Sequence, residues 1–195
     1  MPIQKIPPIE LDELLASEFD YIAQTAVQAN EDRARVSSFY LIAVGSLVAA
    51  LFGTQLFDDG KFTDVVKFMF SGLFILLTLL GTSTVVQLGR LRAAWHESMM
   101  AMNQIKDFAM SQRPELIEAF RWKTSTLPSK YKRSSVSYFQ AIEVSLISGL
   151  MFGASAFFFV QALIPEVGIL HWAVALFFGI IMVFVQLALY RRSLN

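Results

Sequence analysis

The sequence predicts an all-α polytopic membrane protein in which four transmembrane helices form two hairpins with long cytoplasmic helical extensions. Three observations lead to this prediction. Apolar residues make up 55% of the 195 residues and charged residues only 16%, whereas about a quarter of a soluble domain is charged. The apolar residues fall into four uncharged runs, each close to the roughly 20 residues that a helix needs to cross a bilayer. Fourteen of the 16 Lys and Arg residues lie outside the four spans and outside the two short connections between them.

The four predicted spans are Val36–Phe57, Phe68–Leu88, Val144–Ile164 and Leu170–Tyr190. Each is expected to be helical because a helix satisfies its own backbone hydrogen bonds in lipid. The short connections Asp58–Lys67 and Pro165–Ile169 contain turn-forming Gly, Asp and Pro residues and close two tight hairpins.

The first 35 residues are expected to form a cytoplasmic helix that continues into the first span, because neither Gly nor Pro occurs between Ile9 and Val44. Apolar residues recur along it every three or four positions, at Leu11, Leu15, Phe19, Ile22, Ala26 and Ala29. This stripe packs either on the central linker of the same chain or on the same helix of neighbouring subunits. The seven-residue spacing of Leu15, Ile22 and Ala29 favours neighbouring subunits.

The first hairpin, residues 36–90, is followed by a cytoplasmic linker, residues 91–133, and by the second hairpin, residues 134–195. The linker is expected to continue the second span as a helix, and Pro114 to begin a short helix that ends near Trp122. An apolar stripe rich in Met runs along the first part of the linker, at Leu91, Trp95, Met99, Met102, Ile105 and Ala109. Such a face suits an adaptable partner groove, but packing against the amino-terminal helix is the favoured interpretation.

The distribution of basic residues predicts the orientation. Fourteen of the 16 Lys and Arg residues precede the first span, lie between the hairpins or follow the last span, while Lys61 and Lys67 lie in the first hairpin connection. Basic residues stay on the cytoplasmic side of a membrane. We therefore expect a multi-pass protein of the cell inner membrane with both termini and the linker in the cytoplasm.

The two hairpins resemble each other at an offset of one hundred residues. Eight positions between Arg33 and Gly53 carry the same residue type as their counterparts between Arg133 and Gly153, and both hairpins end with Val, Gln and Leu before an Arg. Fixed-period similarity indicates a repeat. A tandem duplication competes with the simpler interpretation that apolar segments match easily.

Small residues recur every four positions in two of the spans. They are Gly45, Ala49 and Gly53 in the first span and Ser145, Gly149 and Gly153 in the third. Such faces let two helices approach closely in lipid. They are the candidate helix–helix contacts, either within one subunit or between subunits.

Two further sets of charged residues are candidate sites. The first is the basic linker with Arg121, Lys123, Lys130, Lys132 and Arg133, which suits the phosphates of a nucleotide, an oligonucleotide or a lipid, although membrane topology alone also requires these charges. The second is Glu143, which adjoins the third span. This carboxylate either lines an ion path or pairs with Arg90 or Arg92; an interfacial position in contact with water is favoured.

Several function classes find no support in the residues. The chain has no Cys, which excludes disulfides, thiolate metal sites and cysteine nucleophiles. His96 and His171 belong to opposite ends of the spans and neither has a second ligand at metal spacing. We expect no metal, no cofactor and no enzymatic activity.

In outline, the two hairpins and the cytoplasmic helices resemble the small four-transmembrane effectors of bacterial antiviral defence operons, which an associated nucleotide-making enzyme controls. The resemblance covers the whole chain as architecture and carries no diagnostic motif. It implies an oligomeric channel or pore-forming effector gated from the cytoplasm by a nucleotide-type ligand. The alternative is a membrane anchor that docks a soluble cytoplasmic partner, and a third interpretation is a lipid-binding or lipid-modifying subunit.

Overall fold

A computed structural model describes residues 10–53, apart from the side chain of Phe52, and residues 63–195. The described residues form four long helices, α1 (Leu11–Gly53), α2 (Asp64–Gln112), α3 (Val136–Leu163) and α4 (Ile169–Arg192), and contain no strand. Each helix is long and apolar enough to cross a membrane. The predicted all-α, four-helix membrane fold is confirmed. The turn at Asp58–Gly60, Lys5 and Lys61 lie outside the described residues.

Polar side chains fix where the later helices begin. The Thr63 hydroxyl accepts a hydrogen bond from the backbone N–H of Val66, and the Ser135 hydroxyl accepts one from Tyr138. Both residues thus cap a helix N-terminus whose N–H groups would otherwise be unpaired. His171 braces the α3–α4 turn because its Nδ1 accepts from the Gly168 N–H and its Nε2 lies 3.0 Å from the Ile164 carbonyl oxygen.

The helices pack side by side with α2 in the middle. α2 contacts α1 on one side and α3 on the other, and α4 packs mainly on α3 and less extensively on α2. α1 and α4 therefore form opposite edges of the bundle. Its core consists of fully or almost fully buried side chains from all four helices, including Tyr40, Val44, Phe74, Val85, Leu88, Val144 and Tyr190.

Residues 11–35 of α1 and 91–112 of α2 extend beyond the spans as an antiparallel pair, which we call the helical stalk. Ile22 and Ala26 pack against Met102 in a second core, and the Thr25 and Ser98 hydroxyls lie 3.2 Å apart. The expectation that the α1 stripe contacts neighbouring subunits is therefore wrong. The heptad spacing suits any long helical neighbour, and here α2 supplies it.

The same stalk core shows what the Met-rich face does. Met99, Met102, Trp95 and Ile105 all pack in the cluster that holds Ile22 of α1. The favoured interpretation of this stripe, packing against the amino-terminal helix, is confirmed. These side chains do not form a free groove.

The linker contains less helix than expected. Short 3-10 helices span Pro114–Ile117 and Thr124–Thr126, so the helix expected from Pro114 to about Trp122 ends early. Trp122 is 60% exposed and Arg121 is also exposed. The segment therefore buries no continuous apolar face, and a helix this short needs tertiary packing to persist.

The suggested duplication stays a prediction, although matched residues share their environments at several positions. Ser37 and Ser137 are both buried, whereas Phe39 and Phe139 are both exposed. The two small-residue faces differ, because Gly53 is exposed and Gly153 is buried.

Candidate functional site

Arginines flank three of the four spans at one end of the bundle, which we call the basic end. It is the end where Arg33 precedes the first span, Arg92 follows the second and Arg191 follows the fourth. The α3–α4 turn lies at the opposite end. Three features of the bundle could carry function. They are a polar cluster inside the bundle, the two small-residue faces, and a pair of arginines at the basic end.

The polar cluster joins three helices through Gln186 of α4. Its amide Nε2 donates to the Thr82 hydroxyl at 2.9 Å and to the Ser148 hydroxyl at 2.6 Å, and Ser148 in turn donates to the Thr78 carbonyl at 3.2 Å. Gln186 and Ser148 are completely buried. Hydrogen bonds between helices stabilise a bundle in lipid because the alternative is an unpaired polar group in hydrocarbon.

A glycine makes room for this cluster and brings α1 to it. A Cβ atom on Gly81 would lie 2.6 Å from the Ser148 Oγ and 2.8 Å from the Tyr40 hydroxyl oxygen. No side chain larger than hydrogen fits there without displacing both groups. Residue 81 therefore allows Tyr40 of α1 to approach Ser148 of α3 across α2.

The cluster is incompletely paired. The Tyr40 hydroxyl, the Ser145 Oγ and the Gln186 Oε1 are buried and have no hydrogen-bond partner among the described residues. The cluster members described here are neutral hydroxyl and amide groups without the acid–base pair that proton transfer needs. The arrangement can bind water or a polar ligand and can hold the helices in register.

The second small-residue face forms a close contact within the chain. A Cβ atom on Gly149 would lie 2.8 Å from the Gly179 carbonyl oxygen, and one on Gly153 would lie 2.7 Å from the Ala175 carbonyl oxygen. Ser145, at the other end of this face, is completely buried. The backbones of α3 and α4 thus touch where Gly149 and Gly153 meet Gly179.

Among the described residues, nothing contacts the two glycines of the first small-residue face. Gly45, Ala49 and Gly53 are all exposed, and a Cβ atom on either glycine would meet no atom within 4 Å. α1 instead packs on α2 through larger side chains, among them Tyr40 and Val44. This face is open to lipid or to another molecule.

Two arginines at the basic end, the buried Arg92 and the half-buried Arg33, have no carboxylate partner among the described residues. Arg92 is 7% exposed, its Nε donates to the Lys130 carbonyl at 3.4 Å, and its guanidinium lies 4.4 Å from the centre of the Trp95 ring. The Nε of Arg33 is buried and has no hydrogen-bond partner among the described residues. Burial, and then the positive charge of Arg92, lower the pKa of Arg33.

His96 lies one helical turn from Arg92. Its Nε2 is 3.0 Å from the Pro128 carbonyl oxygen, which can only accept, so this nitrogen carries the proton of the neutral ring. Burial lowers the pKa of His96, and the nearby charges of Lys130 and Arg92 act in the same direction. The ring therefore fastens the linker to α2 in its neutral form.

The predicted linker residues are spread over an extended surface. Lys130 pairs with Glu97 at 3.1 Å, and Lys123 is half-buried beside the second 3-10 helix. Arg121, Lys132 and Arg133 are exposed. The structure thus places three of the five predicted phosphate ligands at the surface, while one of the other two is already paired with a carboxylate.

Glu143 lies on an exposed part of α3. It forms no ion pair with the described Arg90 or Arg92, whose guanidinium instead contacts Lys130 and Trp95. Its position at the edge of the span fits a carboxylate in contact with water. No group of three His, Cys, Asp or Glu residues that could hold a metal ion occurs in residues 10–53 and 63–195.

Sequence reasoning missed the roles of four of these residues. Ala175 and Gly179 are small residues four positions apart in α4, and they contact the small-residue face of α3. This spacing is visible in the sequence. Arg33 and Arg92 have no Asp or Glu three or four positions away, unlike Arg35, which follows Asp32 by three. A basic residue at a membrane boundary without a helical carboxylate partner is the signal that could have found them.

No protein-family model matches the chain, and no curated protein or solved structure matches it either.

Proposed function

We propose that this protein is a homo-oligomeric channel of the cell inner membrane in which α1 lines the central axis and the basic end faces the cytoplasm. The observation that carries the proposal is the exposed face of α1. One side of α1 is buried on α2, and the other runs exposed from the stalk into the span. Its residues follow each other at intervals of three or four, at Asp20, Gln24, Val27, Glu31, Arg35, Ser38, Ile42, Gly45, Ala49 and Gly53.

The part of this face that lies deepest in the span differs from a lipid-facing surface. From residue 43 to Gly53, the exposed residues that the structure describes are Gly45, Ser46, Ala49, Ala50 and Gly53. α4, the helix at the other edge, exposes Leu176, Phe177, Ile180, Ile181 and Phe184. Bulky apolar side chains suit lipid, whereas small and hydroxyl-bearing ones suit a helix contact or an aqueous axis.

The stalk continues this face with acidic residues. Asp20 and Glu31 lie on the same exposed side as Ser38 and Gly45, and Arg35, which also lies there, is 3.7 Å from the carboxylate of Asp32. If α1 surrounds an axis, these carboxylates collect at the cytoplasmic entrance, and a ring of carboxylates favours cations. We therefore propose that the channel prefers cations.

Gating from the cytoplasm follows from helix continuity. α1 and α2 each pass from stalk to span as one helix, so a ligand that shifts the stalk also shifts the spans. A nucleotide-type ligand held by Arg121, Lys123, Lys130, Lys132 and Arg133, and a role in antiviral defence, remain parts of this proposal that rest on the architectural resemblance.

The absence of Cys from the chain makes a direct test available. Ser46 lies six residues beyond Tyr40 in α1 and Ile180 six residues before Gln186 in α4, so both sit about 9 Å from the polar cluster. Purified protein is reconstituted in planar bilayers as Ser46→Cys and Ile180→Cys. We expect a cationic methanethiosulfonate reagent to reduce the current through Ser46→Cys severalfold and to leave Ile180→Cys unchanged.

Equal effects at the two positions would refute α1 as the lining helix. A protein that carries no current in any condition would refute the channel. The anchor alternative has one favourable observation, since Leu14 and Tyr21 expose 50% and 63% of their surface along the stalk. A silent protein that keeps a soluble partner through purification, and loses it on Tyr21→Glu, would establish that alternative.

A further inference from the structure

Among the residues that the structure describes, six Lys and Arg side chains are partly or fully buried, and two of them lie beside a carboxylate while Arg33, Arg92, Lys106 and Lys123 do not. Lys67 lies 3.0 Å from Asp64 and Lys130 lies 3.1 Å from Glu97. Arg33 and Arg92 have no carboxylate oxygen within ion-pair distance among the described residues. Removing an unpaired charge from water is unfavourable, so a half-buried and a buried arginine that lie close together without a carboxylate call for a physical explanation.

The helix register brings the two arginines together. α1 and α2 run antiparallel, with Tyr40 beside Gly81 and the Thr25 hydroxyl 3.2 Å from Ser98. Arg33 lies between Tyr40 and Thr25, so it faces α2 near Gly89, one turn from Arg92.

Helix α4 also packs on α2 close to the two arginines. Tyr190, near the end of α4, approaches α2 so closely that a Cβ atom on Gly89 would lie 3.0 Å from its carbonyl oxygen. The Tyr190 hydroxyl is 2.9 Å from the Ser137 hydroxyl of α3. Tyr190, held by Ser137 of α3, thus packs on α2 at Gly89, about one helical turn from Arg92.

The donors that the arginines leave free define the ligand. Arg92 uses Nε on the Lys130 carbonyl and stacks on Trp95, and no described protein group accepts from its two terminal nitrogens. The Nε of Arg33 is buried and unpaired. Planar guanidinium groups bind tetrahedral oxyanions through paired N–H donors. A dianionic or monoanionic phosphate group would satisfy these donors and remove the repulsion between the two cations.

We propose that Arg33 and Arg92 bind a phosphate group at the basic end of the bundle. The site lies just beyond the ends of the first and second spans, at the depth of lipid headgroups. The phosphate belongs either to an anionic phospholipid of the adjacent leaflet or to a soluble phosphate compound. Conduction is not required for this binding, which makes the proposal independent of the channel.

The site differs from the exposed basic residues of the linker. Arg121, Lys132 and Arg133 are hydrated by solvent and can attract anions only through general charge. Arg33 and Arg92 are held in place by packing, so they lose less conformational entropy on binding. A specific site should therefore survive moderate salt, whereas attraction to the linker should not.

The chain offers a matched control for each arginine. Arg35 and Arg90 lie two residues from Arg33 and Arg92 at the same depth, and both are exposed. Arg33→Gln/Arg92→Gln and Arg35→Gln/Arg90→Gln thus remove the same charge from the same boundary. Both doubles and the unmodified protein are prepared free of lipid in a neutral detergent.

Phosphatidylglycerol is titrated into each preparation in moderate salt and bound lipid is counted by native mass spectrometry, with phosphatidylcholine as the reference lipid. In parallel, the melting temperature is measured with inorganic phosphate and with chloride at equal ionic strength. We expect Arg33→Gln/Arg92→Gln to weaken binding at least about tenfold and the control double to stay within about twofold. Arg33→Gln alone leaves the contacts of Arg92 in place and provides the test if the double variant does not fold.

The two arms identify the source of the phosphate. If Arg33→Gln/Arg92→Gln loses only the binding of phosphatidylglycerol, the site belongs to lipid. If this variant loses only the stabilisation by inorganic phosphate, the site belongs to a soluble compound. Equal losses in the two double variants, or no phosphate-dependent signal in the unmodified protein, would overturn the proposal.

Discussion

The two hairpins carry the same pattern of small residues and use it differently. In the second hairpin, Gly149 and Gly153 bring α3 against α4. In the first, Gly45 and Gly53 face away from the bundle, and no atom of residues 10–53 or 63–195 lies near their Cβ positions. Small residues spaced four apart therefore permit two helices to approach closely. Whether the approach occurs inside the chain depends on a matching small residue on the neighbouring helix.

Tyr40 explains why the first hairpin differs. Its completely buried side chain reaches the space that Gly81 leaves beside Ser148. α1 therefore turns its larger residues toward α2, and its small residues point outward. In α4, Ala175 and Gly179 instead offer bare backbone to α3.

The largest difference in stability is expected between variants that place a large side chain on each of the two small-residue faces. Gly149→Leu places a side chain against the Gly179 carbonyl and Val183, and we expect a loss of about 1–3 kcal/mol or more in the free energy of unfolding. Gly45→Leu meets no atom of its own chain, so this free energy should change little. Equilibrium unfolding in mixed micelles of detergent and SDS measures both variants.

The oligomeric state should respond in the opposite order, with the larger effect at Gly45. Gly45→Leu should reduce the oligomer of folded protein in light scattering, because it fills the face that we assign to the axis. A Gly45→Leu protein with unchanged mass would remove α1 from the subunit interface. An unchanged stability of Gly149→Leu would show that α3 and α4 can separate without cost.

An intermediate effect is expected at the two matched glutamines, Gln87 and Gln186. Gln186→Leu removes hydrogen bonds to Thr82 and Ser148, and each bond between helices in lipid contributes about 0.6 kcal/mol and at most about 1.7 kcal/mol. Gln87 is exposed and bonds only Ser83 of its own helix at 3.3 Å, so Gln87→Leu should be nearly neutral. Similar losses at both positions would mean that Gln186 does not connect the helices.

The sequence was sufficient for the features that depend on helix length, spacing and polarity. Uninterrupted apolar runs predicted the four spans, and the lack of Gly and Pro predicted that α1 passes unbroken into the membrane. Rotation of each helix about its axis was not predictable, because it depends on how Tyr40 and Gly81 fit together. The apolar stripe of the stalk was assigned to neighbouring subunits for the same reason. Arg33 and Arg92 are far apart in the chain, and only the register of α1 against α2 joins them.

The smallest effect tests whether matched serines share a role as well as an environment. Ser37 and Ser137 are both buried, but only Ser137 has a hydrogen-bonded side chain among the described residues, with its hydroxyl 2.9 Å from that of Tyr190. Ser137→Ala leaves the Tyr190 hydroxyl without this partner and should cost about 1 kcal/mol. Ser37→Ala removes no such bond and should cost a few tenths of that. A Tyr190→Phe background should abolish the difference between the two serine variants in unfolding measurements. If the difference persists there, the serine at 137 acts through packing, and the hairpins differ at this level by shape rather than by hydrogen bonding.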